Sequence, residues 1–591
     1  MRWFTAMTAA IMGWYARQSG EDQVDRLQRL LTAAVLLLFP SACLLVDRSD
    51  SVSLLLLAIV GLCVWIRNGF RSGLTRRDWL YVAVFAGFFV AGVLAFEFGH
   101  QTDAGFRLLG RYIRFLFVLP VLLALRRYRP PAPVVWAGLG LGALILGCDA
   151  VWESLDASGF LRPDGDTNVA ILFGDLATLT TCAFAAGYIY IDERLPRSGP
   201  FLVTGCILMG LLASFLSGTR GAWVALPVLL VLFLFCRHML RPRIVLVGAG
   251  SMAALFIALV LLPQTHILQR VESMELQLKT YWAVTQGGGR SSATPQCFDN
   301  AHALQAWISS GDTKYPKSFN ISVTGSSGID VASLANYACS QGAAVHLHNP
   351  SNGYAWVRLP RSGRGSSGMA STRLLVRGKG SIGFAEQLHG EHRIDTVFYG
   401  ALDMRAPARY GFGLSIIVPA GDDLWIVPVE SYFGEYRYAV LQGPVGQRLE
   451  MWWASLRLFY ESPVFGKGTG AYQVETQRLV AAGKAAPDTA DFDHPHSDYF
   501  DALSSRGLVG LLAFLLLLGV PAWLYMANLD SRDPHRMGAA LGGLLVAVGF
   551  AIFGLTETMF IHSVTIGWYV IMTAVFLVSA DAPGGQWTDK R

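Results

Sequence analysis

The sequence predicts an all-α polytopic membrane protein of about twelve transmembrane helices, with a β-rich external insert late in the chain, and three observations support this. Of 591 residues, 53% are hydrophobic and only 15% charged, and the mean hydropathy is positive, which a water-soluble chain of this size would not show. Apolar runs of about 20 residues, the length a helix needs to cross a hydrocarbon core of roughly 30 Å, recur along the chain. The arginines gather in short segments between those runs, as they do in loops that face the cytoplasm. That distribution argues against a nucleic-acid partner despite the net charge of +5.

Taken in order, the expected spans are 29–46, 51–66, 79–96, 111–125, 132–148, 168–191, 201–217, 222–236, 244–263, 507–528, 538–556 and 561–580. The first has no small-residue cleavage site behind it and is read as a retained helix rather than a signal peptide. With the N-terminus in the cytoplasm, Arg67, Arg71, Arg76 and Arg77 fall inside, and so do the clusters at 126–129, 194–197, 237–243 and 532–536. Both termini are then cytoplasmic, and 264–506 is external. The domain plan is 1–265 for helices one to nine, 266–285 for an external helix and 286–444 for the β-rich insert. A helix and polar loop at 445–506 and the last three helices at 507–591 complete it. The insert is rich in glycine and serine and has short β-type runs with turn signals between, read as a small β-sandwich. Cys297 and Cys339 lie in it and are available to pair if it faces an oxidising compartment. No cysteine spacing suggests zinc.

Ionisable groups at external helix ends are candidates for chemistry, since placing them there is costly. Arg220 sits in a tight turn, Ser217-Gly218-Thr219-Arg220-Gly221, between two apolar spans. As an external arginine it opposes the inside bias of the rest, although a snorkelling helix end is the plainer reading. Arg111 and Arg114, at near-helical spacing with Arg107, could meet a phosphate or anchor to headgroups. Arg270 and Arg448 occupy matching Gln-Arg-x-Glu positions on either side of the insert, where each could equally pair with its neighbouring glutamate. Guanidinium forks grip phosphate bidentately, which is why arginine matters at these positions.

The densest polar cluster is Asp491-Phe492-Asp493-His494-Pro495-His496-Ser497-Asp498-Tyr499. Its spacing is poor for a metal, so none is expected. A histidine acting as general base near neutral pH, oriented by a carboxylate, suits it better, with His496 as the base and His494, Asp493 and Asp498 in support. A helix-capping turn is the plainer alternative for Asp493 and Ser497.

These residues resemble the O-antigen ligase and polymerase superfamily of membrane glycosyltransferases. His496, Ser497, nine residues, Gly507 and, three positions on, Gly510 fit the ligase signature. Further similarity lies in 217–223, 446–452, 463–468 and 554–557. The resemblance implies that Arg220, Arg270 and Arg448 hold the diphosphate of an undecaprenyl-diphosphate-linked glycan, with His496 activating the acceptor hydroxyl. It further implies an inner-membrane enzyme with a periplasmic site and no cofactor, using lipid A–core oligosaccharide as acceptor among membrane lipids. The insert, larger than the family's usual external loop, leaves the acceptor open. A polymerase and a protein O-oligosaccharyltransferase are the rivals within the superfamily. A lipid-linked sugar transporter and a binding module carried by the insert are the rivals outside it.

Overall fold

A computed structural model describes residues 22–156, 163–167, 169–195, 198–235, nine strands between Gln296 and Pro428, and 444–482, 484–485 and 487–581. The expected span 244–263, the helix at 266–285 and Arg270 lie outside the described residues. The helices are α1 (Gln23–Leu45), α2 (Ser49–Arg67), α3 (Arg76–Phe98), α4 (Asp103–Tyr112), α5 (Val118–Arg127), α6 (Ala132–Asp156), α7 (Ala170–Ala186), α8 (Tyr188–Arg194), α9 (Gly199–Ser217) and α10 (Arg220–Phe235). After the strands come α11 (Pro444–Glu461), α12 (Tyr472–Ala481), α13 (Asp498–Met526), α14 (Pro534–Phe553) and α15 (Ser563–Ala580).

Among the described residues nine helical segments are long and apolar enough to cross a membrane, and ten if the bent pair α7–α8 counts as one span. The chain is therefore a polytopic membrane protein. It divides into two compact units, one of residues 1–268, 452–479 and 492–591, the other of 269–451 and 480–491.

In the first unit, helix ends are fixed by polar side chains. Thr75 and Asp78 form a reciprocal capping box at the start of α3. The same Asp78 takes a hydrogen bond from Arg126 Nε at 3.2 Å. Asp25 of α1 takes hydrogen bonds from Arg67 at 3.0 Å and from the Tyr128 hydroxyl at 2.6 Å. Basic residues thus gather at one end of the bundle, where buried acids compensate them. Between the ends, rings fill the core: Phe88 packs edge-on against Phe115 and Phe560, and Phe550 stacks on Phe560.

The tenth expected span differs from the structure in an informative way. α13 begins at Asp498, not at 507, and is broken inside at Gly507, which has φ +62° and ψ −155°. The break frees backbone groups, and the loop 463–468 satisfies them. Lys467 N–H donates to the Ser504 carbonyl at 2.8 Å and Gly468 N–H to Ser505 at 3.0 Å, while Leu508 N–H donates to the Pro463 carbonyl at 2.8 Å. A side chain at Gly507 would lie 2.5 Å from the Val464 backbone, so the position demands glycine both for its φ and for the close approach.

In the second unit the strands are β1 (Gln296–Phe298), β2 (Ser322–Gly325), β3 (Ala338–Gln341), β4 (Ala344–His348), β5 (Ala355–Leu359), β6 (Arg373–Phe384), β7 (Gln387–Asp403), β8 (Leu414–Val418) and β9 (Asp423–Pro428). They pair antiparallel in one sheet, in the order β1-β3-β4-β9-β6-β8-β5-β2 with β7 beside β6. The long β6 joins the sheet's two halves, pairing β9 through 374–378 and β8 through 381–384. Backbone register sets Cys297 opposite Cys339.

Candidate active site

The site lies at the end of the first unit away from the Asp25–Arg67 cluster, on the loop before α13 and the turn between α14 and α15. Helix α14 stops at Phe553, because the chain turns at Gly554 and runs to a short 3₁₀ segment, Met559–Ile561. Glu557, one residue past the expected span 538–556, is therefore in this turn. The two segments are stitched backbone to backbone. Asp498 N–H donates to the Gly554 carbonyl at 2.8 Å, and Ser497 Oγ donates to the same oxygen at 2.9 Å. The Asp498 carboxylate accepts from Met559 N–H at 3.0 Å and Phe560 N–H at 3.2 Å. Asp498 thus braces the turn that carries Glu557 through backbone amides rather than through His496. Burial pairs such a carboxylate with backbone donors that would otherwise be orphaned.

His496 has φ +47°, the left-handed region that a non-glycine residue adopts at a cost of order 1–3 kcal/mol. Its neighbours hold it there. Pro495 accepts a hydrogen bond from the Trp452 indole at 3.1 Å, Trp452 stacks on Phe500, and Phe492 meets the His496 ring edge-on. In this pose His496 Nδ1 is 2.9 Å from Glu557 Oε1. With Nδ1–H donating to the carboxylate, Nε2 is left as the basic nitrogen.

Glu557 is 2% exposed and also accepts from Thr558 N–H at 3.0 Å. Burial by itself would push its pKa up, but hydrogen bonds and charge from His494 and His496 win, and it stays ionised well below the usual carboxylate range. His494 lies between two acids: Nδ1 is 2.5 Å from Asp493 and Nε2 is 3.5 Å from Glu557. Burial opposes its charge, yet the bonds to Asp493 and Glu557 raise its pKa to about 9. Its ring centroid is 4.4 Å from that of His496. His562, 6.4 Å from His494 by ring centroids, goes the other way: burial lowers it to about 4, so it is neutral.

Of the residues the sequence singled out, His494, Asp493 and His496 come together. Arg111 reaches this end of the bundle, donating to the Ile561 carbonyl at 2.9 Å, but Arg114 donates to Ser51 at 3.0 Å. The two arginines thus take different partners, Arg111 from α4 and Arg114 from the 3₁₀ segment Ile113–Phe117 that follows it. Arg220 is the first residue of α10. Arg448 is half-buried on α11, in the second unit. Glu557 and His562 were missed as site residues. Glu557 had a legible signal, being an acid beyond the end of a span whose exit is on the same side as the His496 loop. If a cation bound here, His494, His496 and Glu557 would hold it, since one ligand atom from each lies within 4.8 Å of the others; His496 Nδ1 is hydrogen-bonded to Glu557, while the buried His494 Nε2 lies 3.5 Å from the same carboxylate without a hydrogen bond.

Residues 430–515, which include His496, the break at Gly507 and the loop 463–468 that repairs it, match the family model described as O-antigen ligase. Over these residues the chain is similar to the O-antigen ligase family. The match explains why the signature glycines stand where they do: Gly507 carries the break, and a side chain at Gly510 would strike Arg506 Cβ. An uncharacterized protein of Haemophilus influenzae is 25% identical over 119 residues. That similarity spans 20% of this chain and 30% of the relative.

Proposed function

We propose that this protein is an O-antigen ligase that transfers glycan from undecaprenyl diphosphate to lipid A–core oligosaccharide at the periplasmic face of the inner membrane. The observation that carries the reading is the ionised Glu557 holding His496 Nδ1 at 2.9 Å, within the segment that matches the O-antigen ligase model. A neutral imidazole so oriented presents Nε2 to an acceptor hydroxyl, and the carboxylate stabilises the imidazolium formed as the proton arrives. The acceptor oxygen would attack the anomeric carbon opposite the departing diphosphate, inverting its configuration. Arg220, Arg270 and Arg448 would neutralise charge growing on that leaving group, with Arg111 and Arg114 also available to the diphosphate. In this reading the reaction needs neither metal nor nucleotide, and the prenyl tail lies against apolar helix faces at about 0.8 kcal/mol per buried methylene.

The test is transfer in detergent from lipid-linked glycan to lipid A–core, with chelator present. His496→Ala should abolish product while the protein still purifies as a folded species, and Arg220→Ala and Arg448→Ala should weaken donor use. Full transfer by the His496 variant removes the base. Loss of wild-type activity in chelator, restored by a divalent cation, favours the metal reading of the same three side chains. Product built on glycan repeats or on protein, rather than on lipid A–core, assigns the chain to a polymerase or a protein glycosyltransferase.

A further inference from the structure

One side of α11 holds the histidine loop, and another side of it is bare. Within the first unit, which takes in 452–461 of this helix, Ala454, Ser455 and Leu458 are buried. Trp452 donates to the Pro495 carbonyl at 3.1 Å and stacks on Phe500. On the outward side Trp453 is 48% exposed and Tyr460 76%. Between them lies Arg457, its guanidinium 5.5 Å from the centre of the Trp453 ring. Positions 453, 457 and 460 are separated by one helical turn each, so the three side chains form one stripe. We propose that this stripe is a membrane-docking face, seating α11 among the phospholipid headgroups of the leaflet that α13 enters. The inference does not depend on what His496 does.

Continuity, composition and charge choose lipid as the occupant. Just beyond Tyr460 the chain reaches Pro463 and Val464, whose carbonyls accept from Leu508 N–H at 2.8 Å and Val509 N–H at 3.2 Å. Val464 is exposed there, and so are Leu508, Leu512 and Leu515 along α13, a helix of membrane length. The stripe therefore runs into a row of bare apolar side chains of the kind that lipid covers. Tryptophan and tyrosine each join a large apolar ring to one polar atom, which suits them to the boundary where hydrocarbon gives way to water. Glu461, one turn on from Arg457, is engaged by Lys467 at 2.8 Å and by Arg478. That leaves the Arg457 guanidinium over the Trp453 ring and available to a headgroup phosphate. By helical rise the two aromatic positions stand about 10 Å apart along the axis. A headgroup layer is roughly 5–7 Å deep, so a helix lying in it holds both rings and an upright helix only one. Because Trp452 of the same helix bonds Pro495, docking would also fix the height of the His496 loop over the bilayer.

The measurement is fluorescence quenching of the full-length protein in phospholipid nanodiscs, where both faces of the bilayer are open to reagent. Trp453→Cys and Tyr460→Cys, each leaving the other aromatic and Arg457 in place, carry a nitrobenzoxadiazole label. Unsubstituted protein labelled in parallel gives the background from the native cysteines. Replacing part of the phospholipid with one that bears a nitroxide on its headgroup should remove most of the emission at both positions, and iodide in the water should quench both only weakly. Strong quenching by iodide with little from the nitroxide lipid would put the stripe in water and overturn the proposal. Weak quenching by either reagent would mean that protein covers the stripe, a second copy included, and would overturn it as well. So would nitroxide quenching at 460 without quenching at 453, the pattern of an upright helix. Both replaced side chains are exposed, so the variants should fold; if either does not, Arg457→Cys reads the same stripe.

Discussion

At the scale of single residues, what the sequence disclosed and what it withheld had different physical origins. His496 was legible because a histidine-serine pair ahead of a glycine-interrupted span is a local pattern. Its partner was not, because Glu557 is 61 positions away and only the turn after α14 brings them together. Glu557→Gln keeps the shape and removes the charge. With a neutral amide opposite Nδ1, the imidazolium loses its stabilisation and the ring its fixed tautomer, and kcat should fall by about 10²–10⁴. Glu557→Asp keeps the charge on a shorter arm and should retain more activity than Gln. Initial rates of glycan transfer at saturating donor check the order. A Gln variant as active as wild type would show that Glu557 only braces the loop. Asp498 was assigned to the same chemistry from its place in the run, but it faces backbone amides at 559 and 560. Closeness in sequence was a poor guide to which acid meets the imidazole.

At the scale of elements, hydropathy located the nine membrane-length helices among the described residues, though not the full twelve expected, because lipid demands long apolar runs whatever their tertiary partners. It misplaced the start of α13, since the turns 498–506 are polar and are buried by packing against the loop 463–468, the turn after α14 and the rings of Phe88 and Tyr112, which no local pattern reveals. The Gly507 break depends on that loop. Gly507→Ala would place a methyl 2.5 Å from the Val464 backbone at φ +62°, so it should destabilise the protein by a few kcal/mol. Gly519→Ala in the same helix meets nothing within 4 Å and should be near neutral or slightly stabilising. Thermal unfolding followed by size-exclusion chromatography in detergent compares them, and equal midpoints would refute the account of the break. In the sheet, the register that opposes Cys297 and Cys339 supports the pairing considered from the sequence. Cross-strand partners in an antiparallel ladder lie within the Cα separation that a disulfide spans. Digestion without reduction should yield a linked peptide containing both cysteines, and recovery of two free thiols from protein exported in an oxidising cell would exclude it.

At the scale of the whole molecule, the claim with most at stake is orientation, because a base that acts on a periplasmic acceptor must be on that side. The arginine count along the sequence puts the loops after α2, after α5 and between α13 and α14 in the cytoplasm. The bundle agrees with that polarity in one respect. Arg67 and Arg127 meet at Asp25, and Arg126 is bound by Asp78 and Asp581, all at the end opposite the His496–Glu557 pair. If basic residues mark the cytoplasmic side, the histidines open on the other. Labelling from outside the cell decides it, in a variant from which the eight native cysteines have been removed. Lys484 and Arg532 are both exposed, so single cysteines there are accessible to reagent. Lys484→Cys, ahead of the histidine loop, should react with a membrane-impermeant maleimide in intact spheroplasts, and Arg532→Cys, between α13 and α14, only after permeabilisation. The reverse pattern would put His496 in the cytoplasm, where a lipid A–core acceptor displayed on the periplasmic leaflet could not reach it, and the proposed reaction would fail however well the imidazole is oriented.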